Sequence, residues 1–222
     1  MAKTRGTGLL MVWSDIDPEY EEGYNRWYDE EHIATLLAIP GFLSAGRYVA
    51  LKGGPRCLAL YELESHDVLR SAAFLDGVRH RPSPLRVQYS GGRIGRNYIL
   101  NGYRQIFPAR THPIEQTREP APFLQMGRID IPTAVEEEFN DWYNTAYIPP
   151  YLQVPGVLGA RRFVAVDGQP KYLTLYEFEA ADVSESEVWG RAREGNPWSR
   201  RIRPFMRHDE GSPGVYRRID RK

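Results

Sequence analysis

Cysteine is nearly absent from the 222-residue sequence, and neither sign of charge dominates. Because Cys57 is the single cysteine, an intramolecular disulfide is excluded, and a buried thiol in a reducing compartment is expected. The 29 basic residues balance 29 acidic residues, so the chain has no general attraction for nucleic acid or for an anionic membrane surface. These absences predict a cytoplasmic protein that binds neither nucleic acid nor a membrane.

Long apolar runs and familiar site motifs are missing as well. The apolar segment from Leu9 to Trp13 is too short for a signal sequence or a membrane-spanning helix, and acidic sequence follows it. The five histidines show no metal-ligand spacing, and the segment from Gly91 to Gly95 is interpreted as a loop rather than a phosphate-binding turn. We therefore predict no metal site and no cofactor.

Aromatic residues, in contrast, are abundant. The chain holds 14 Tyr, 8 Phe and 5 Trp residues. Side chains of this kind form either an aromatic core or the walls of a pocket for a flat apolar ligand. A small hydrophobic or aromatic molecule is accordingly the expected partner.

The two halves of the chain repeat each other at a constant offset of 115 residues. Between 8–64 and 123–179, 25 of 57 positions are identical, far more than composition alone would produce. We interpret the chain as a tandem duplication. Its predicted parts are an N-terminal unit 1–107, a proline-rich linker 108–122 and a C-terminal unit 123–222.

Within each unit the pattern of apolar, proline and glycine residues predicts the order β-α-β-β-α-β, which is the ferredoxin-like unit. In the first unit, Asp17 and Pro18 begin a helix with an inward aromatic stripe. That helix is expected to end after His32, because two prolines lie just beyond the equivalent Tyr147. The other predicted elements are strands 8–14, 42–51, 56–64 and 97–107 and a helix over 66–79.

The predicted fold class is therefore α+β. A four-stranded antiparallel sheet with helices on one face leaves its other face uncovered. Two tandem ferredoxin-like units can bury those faces together, so their antiparallel sheets are expected to pack into one pseudo-symmetric α/β barrel.

The stretch Trp27-Tyr28-Asp29-Glu30-Glu31-His32, followed by Pro40-Gly41, resembles the dimeric α/β-barrel superfamily, and most of all its EthD-like branch. There the first helix ends in an aromatic-aromatic-x-x-x-His stretch before a Pro-Gly turn. The resemblance covers both halves. It implies that one chain supplies both halves of a barrel that elsewhere needs two chains. Whether two such pseudo-dimeric chains form a homodimer is left open. It also implies that the histidine faces a pocket between the first helix and the sheet.

His32 is the leading catalytic candidate. At the predicted helix end the macrodipole favours the imidazolium form, whereas burial favours the neutral form. Asp29 lies on the same helix face and is placed to orient the ring, and Tyr28 is placed to stabilise an enolate or phenolate. The alternative is that His32 only caps the helix. Tyr147 stands at the equivalent position of the second half, which we interpret as a structural mate.

The candidate substrate-binding residues are Trp27, Arg47, Tyr48, Tyr61, Tyr103 and Tyr147. Arg47 and Tyr61 recur in both halves, so a shared architectural role, such as pairing of the arginine with Glu62 or Glu177, ranks before a substrate-carboxylate clamp. A cluster of arginines over 79–86 is interpreted as a solvated face.

The leading functional hypothesis is a small cofactor-independent enzyme, a lyase or isomerase. It would perform isomerisation, cyclisation, dehydration or decarboxylation of an aromatic or polyketide-like compound, since these reactions need one positioned acid/base and an apolar pocket. One alternative is a non-catalytic ligand-binding accessory protein of a catabolic pathway. Another, which follows from the resemblance, is a heme-dependent or cofactor-free oxygenase.

Overall fold

A computed structural model of the chain describes residues 6–108, 120–194 and 196–219, so most of the predicted linker 108–122 lies outside the described residues. Its strands are β1 Gly8–Ile16, β2 Phe42–Lys52, β3 Cys57–Leu63, β4 Gly95–Phe107, β5 Phe123–Asp130, β6 Val157–Asp167, β7 Tyr172–Phe178, β8 Arg207–His208 and β9 Gly214–Arg218. Its helices are α1 (Glu21–Trp27, Tyr28–His32 and Ile33–Leu37), α2 (Ala72–Phe74 and Leu75–Arg79), α3 Pro84–Tyr89, α4 Gly91–Ile94, α5 (Glu136–Trp142, Tyr143–Tyr147 and Ile148–Tyr151), α6 Glu187–Glu194 and α7 Pro197–Ile202. No helix within these ranges has the length and apolar character that crossing a bilayer requires.

Eight strands form one closed antiparallel sheet. The first half contributes the order β4-β1-β3-β2, and the second contributes β9-β5-β7-β6. The halves join edge to edge, because β2 pairs with β9 and β4 pairs with β6. Closure leaves no unpaired edge in the ring, and the two-residue strand β8 pairs with β5 outside it. The predicted α+β barrel fold is confirmed.

Alternation along the strands divides inner from outer side chains. On β1, Leu9 and Met11 belong to the core inside the barrel, whereas Leu10 packs with the helices outside. Side chains from all parts of the ring fill the interior, including Tyr48 and Tyr103. The barrel interior is therefore a packed core, and space for a ligand has to lie between the helices and the outer face of the sheet.

Helix α1 continues through the position where the sequence predicts its end. Its middle segment, Tyr28–His32, is π-helical, and the amide of Ile33 donates to the carbonyl of Tyr28, five residues earlier. The helix then runs on to Leu37. The prediction of an end after His32 is wrong.

The two prolines do not end the equivalent helix α5, which also contains a π-helical segment, Tyr143–Tyr147. The segment after it, Ile148–Tyr151, carries proline in its first turn, where a missing amide hydrogen is tolerated. Proline at these positions is therefore compatible with a continuous helix.

The second half of the first unit is more divided than predicted. The predicted helix over 66–79 consists of a 3₁₀ turn, His66–Arg70, followed by the short helix α2. The segment interpreted as a glycine loop forms helix α4. The sequence pattern does not predict helix α3. Ser83 caps its N-terminus, because the Ser83 hydroxyl accepts a hydrogen bond from the amide of Arg86 at 3.1 Å.

Candidate functional site

A cavity of about 370 Å³ lies between α1 and the outer face of the first half of the sheet. This volume falls within the roughly 300–1,000 Å³ that is usual for small-molecule sites. The lining residues come from α1, the strands beneath it, and the segment from the 3₁₀ turn to α3. They are Leu10, Val12, Tyr24, Trp27, Tyr28, His32, Leu36, Tyr61, Leu69, Arg70, Phe74, Leu75, Arg79, Arg86, Ser90, Tyr98, Leu100, Gly102 and Asp167.

His32 lines this cavity from the middle of α1 and is only 7% exposed. Its imidazole stacks on the indole of Trp27, with ring centroids 4.3 Å apart, and meets the ring of Tyr28 edge-on at 4.8 Å. The Nη1 atom of Arg86 lies 3.3 Å from Nδ1 of His32. Because arginine only donates hydrogen bonds, Nδ1 is the acceptor, and the proton of the neutral ring is assigned to Nε2.

The surroundings hold His32 in its neutral form. Burial lowers the pKa of His32 to about 3, and the positive charges of Arg86 and Arg47 act in the same direction. The macrodipole effect expected for a helix end does not operate, because His32 lies inside the helix. At neutral pH the ring is therefore a hydrogen-bond donor and a weak base.

Three phenols surround the same cavity. Burial raises the pKa of Tyr24, Tyr28 and Tyr61. The increase is smaller for the pKa of Tyr28, since neighbouring phenols and the guanidinium groups of Arg47 and Arg86 favour its ionised form. All three hydroxyls stay protonated at neutral pH, and Tyr28 is the most acidic of them.

Asp29 and Arg47 lie together on the far side of this aromatic cluster. Nη1 of Arg47 is 3.3 Å from Oδ1 of Asp29, and Nη2 donates to Asn25 Oδ1 at 2.5 Å. The guanidinium carbon also lies 4.6 Å from the ring centroid of Tyr28. Asp29 is thus engaged by Arg47 instead of orienting His32, and neither Asp29 nor Arg47 lines the cavity.

The equivalent arginine of the second half is placed in the same way. Arg162 donates to Asn144 at 2.7 Å and to Asn140 at 2.9 Å. Because both arginines anchor their first helix to the sheet, the geometry fits the architectural role. The expected partner Glu62 instead accepts two hydrogen bonds from Arg161.

Three further predicted substrate-binding residues also lie away from the cavity. Tyr48 and Tyr103 point into the barrel, because strand alternation turns them to the inner face. Their hydroxyls are engaged there: Tyr48 donates to the carbonyl of Ala121 at 3.1 Å, and Tyr103 accepts from Asn101 at 2.7 Å. Tyr147 belongs to the second half. Trp27 and Tyr61 do line the cavity, together with the catalytic candidates His32 and Tyr28.

Bulkier aromatic side chains occupy the corresponding positions of the second half. Tyr147, Tyr151 and Trp189 stand where the first half has His32, Leu36 and Phe74. The rings of Tyr151 and Trp189 pack with centroids 4.3 Å apart. Ser199, the third residue of α7, occupies the place that Arg86, the third residue of α3, has in the first half. The site is therefore asymmetric.

Several charged residues of the site were not predicted from the sequence. Arg70, Arg79 and Arg86 line the cavity, and Asp167 reaches its rim from the second half, with Oδ2 2.9 Å from Nε2 of His66. The sequence prediction of a solvated face is therefore wrong for Arg79 and Arg86 at the cavity. The signal that could have found Arg86 is its loss in the second half together with the loss of His32.

Glu31 is a supporting residue that was also missed. Its Oε1 accepts hydrogen bonds from the indole of Trp27 at 3.3 Å and from the hydroxyl of Ser83, the first residue before α3. The second half has Ala146 at this position. Glu31 thus connects α1 to the helix that carries Arg86.

No protein-family model matches the sequence, and no curated protein matches it. Solved structures, however, match nearly the whole chain. An anthrone oxidase-like protein has a TM-score of 0.60 at 15% identity, covering 96% of this chain and 91% of its own. The chain has the dimeric α/β-barrel fold.

Two further structures share this dimeric α/β-barrel fold. A chlorite dismutase from Candidatus Nitrospira defluvii has a TM-score of 0.55 at 13% identity, covering 97% of this chain and 92% of its own. A heme-binding protein from Thermus thermophilus has a TM-score of 0.53 at 10% identity, covering 100% of this chain and 96% of its own. At these identities the likeness concerns the fold alone.

Proposed function

We propose that the chain is a small-molecule enzyme that binds a planar, largely apolar compound in the first-half cavity. There it stabilises an enolate or phenolate oxygen during proton transfer. The observation that carries this proposal is a buried, neutral His32 whose Nδ1 is held by Arg86 inside an aromatic cavity. Isomerisation, cyclisation, dehydration and decarboxylation of an aromatic or polyketide-like compound all develop such a charge.

In this proposal His32 donates its Nε2 hydrogen to the developing oxyanion. Neutral imidazole is suited to this role, since a preorganised donor in a dry site stabilises charge more strongly than water does. The phenol of Tyr28 is the second donor, and Arg86 contributes positive charge. Asp167 is the one carboxylate among the described lining residues, and we assign it the role of base.

The test begins with a thermal-shift screen of aromatic and lactone compounds, because a ligand of the native state raises the melting temperature. For compounds that are converted, we expect His32→Gln to lower kcat/KM by about 100-fold or more. Tyr147→Phe, the matched change in the second half, should leave kcat/KM unchanged. Full activity in a folded His32→Gln variant would overturn the proposal.

A second candidate function is binding without turnover, as in an accessory protein of a catabolic pathway. Its support is that the titratable side chains of the cavity are poor proton carriers at neutral pH. The pKa of His32 is low, the tyrosines stay protonated, and Asp167 is engaged by His66. A ligand that quenches tryptophan fluorescence at saturating concentration, with no product formed on long incubation, would favour this candidate.

One of the matching structures is described as heme-binding, which raises the question of whether the cavity fits heme. A histidine that ligates a metal donates its other ring N–H to an acceptor. Here Nδ1 of His32 faces a donor, Arg86, and the ring proton therefore occupies Nε2, the nitrogen that would bind iron. His32 in this environment does not fit ligation of heme iron.

Assignment to the EthD-like branch and origin by tandem duplication are part of the same proposal. Their support is the position of the Trp27 to His32 stretch along the cavity and the 115-residue repeat. Association of two chains also stays a prediction, which light scattering on the purified protein will measure.

A further inference from the structure

Building on the proposed function, we infer that the ligand of this cavity is an aromatic carboxylate. Its ring lies against the stacked Trp27 and His32, and its carboxylate pairs with Arg79 and Arg86. The charged end of the cavity thus indicates the chemical class of the substrate.

The first support is a group of cationic side chains without anionic partners. Arg70, Arg79 and Arg86 line the cavity, and no carboxylate of the described residues forms an ion pair with any of them. Other arginines of the same half do have such partners, as Arg56 has in Glu21 at 2.8 Å. A fork of guanidinium N–H donors matches a carboxylate in shape and charge.

The second support is the polarity gradient of the cavity. Arg70 and Arg79 are exposed at the mouth, and Arg86 is half-buried beside His32. The inner walls are apolar and include Leu10 and Phe74. A neutral apolar ligand would desolvate the half-buried guanidinium of Arg86 without pairing it, which is costly. A ligand with an apolar ring and one anionic end satisfies both regions.

The third support comes from the second half of the chain. In the second half, Tyr151 and Trp189 pack together where the first half has Leu36 and Phe74, and Tyr147 and Ser199 stand in place of His32 and Arg86. The described cavity, the imidazole of His32 and the guanidinium of Arg86 thus occur in the same half, which supports a common role for them in binding one ligand.

The experiment compares 2-naphthoate with its neutral isostere 2-naphthamide by isothermal titration calorimetry on the full chain. We expect the carboxylate to bind at least about tenfold more tightly, since a hydrogen bond to a charged group is worth more than a neutral one. Arg86→Gln, which keeps an N–H donor for His32, and Arg79→Gln should each reduce this preference several-fold. Arg81→Gln, an exposed arginine that does not line the cavity, is the control and should leave it unchanged.

A further variant locates the binding. Phe74→Trp installs the residue of the second half and should abolish binding of both probes, while a cooperative thermal melt confirms the fold. Equal affinity for the two probes, or unchanged naphthoate affinity in Phe74→Trp, would overturn the inference. Neither outcome would contradict the proposed function, which is tested separately by measuring the turnover of the His32→Gln variant.

Discussion

The protonation state of His32 is set by its surroundings in the folded protein. The same imidazole that titrates near 6.5 in an unfolded chain is held neutral in the folded protein, chiefly because it is buried. The sequence places a histidine after two aromatic residues, but the guanidinium of Arg86 arrives from a helix 54 residues further on. The protonation state of His32 is therefore a property of the packed structure.

This shift makes stability depend on pH. Between about pH 3 and pH 6.5 the unfolded chain binds a proton at His32 that the folded chain does not, so stability falls as the pH is lowered through this window. The contribution approaches about 1.4 kcal/mol per pH unit in the middle of the window. Urea denaturation at a series of pH values should show a shallower loss for His32→Gln than for the wild type. Parallel curves would contradict the assigned neutral state.

At the scale of elements, the decisive feature is the π-helical segment within α1. The helix continues through this segment beyond His32, and an equivalent π-helical segment occurs in α5. Hydrophobic periodicity and proline positions cannot reveal a single π turn, so the sequence predicted a helix end instead. Helix α3 was missed for a related reason: it is only six residues long, and none of its residues is buried.

The link between α1 and α3 can be tested through Glu31. Glu31→Ala removes the acceptor for Trp27 and Ser83 and should lower the free energy of unfolding by about 1–3 kcal/mol. It should also weaken binding of 2-naphthoate, because Arg86 is held less firmly. Glu30→Ala, the adjacent exposed position, is the control. Equal melting temperatures for the two variants would show that the link contributes nothing.

At the scale of the whole molecule, the halves are joined by strand pairing and by a buried ion pair between Glu62 and Arg161. Inside the barrel, Arg161 of the second half donates to both carboxylate oxygens of Glu62 of the first, at 3.0 and 2.5 Å. Both residues are at most 5% exposed. Gly46 stands at the first-half equivalent of Arg161, so the pair has no symmetric copy.

Breaking this pair should be costly, because Glu62 then loses the charge that accepts two hydrogen bonds from the buried Arg161. Glu62→Gln is expected to lower the free energy of unfolding by about 3–5 kcal/mol. Glu185→Gln, in the exposed pair with Lys52 across the same two halves, should change it by less than about 1 kcal/mol. Guanidinium denaturation measures the free energy of unfolding of both variants. Similar small decreases in the two variants would show that the buried ion pair is not needed to close the barrel.

The sequence by itself determined the β-α-β-β-α-β order and, through apolar runs bounded by proline and glycine, the approximate strand bounds of the first half. The Pro40-Gly41 turn was also predictable from the sequence. Gly41 adopts a φ of +93°, which few other residues tolerate. The sequence also pointed to Trp27, Tyr28, His32 and Tyr61, which line one cavity.

Only the tertiary structure decided which polar groups meet. Arg86 and Asp167 reach the cavity of His32 from distant segments, and closure of the sheet turns the face that carries Tyr48 and Tyr103 into a buried interior. Local periodicity records which face of an element is apolar, whereas the partners of a buried charge depend on how separate elements are brought together.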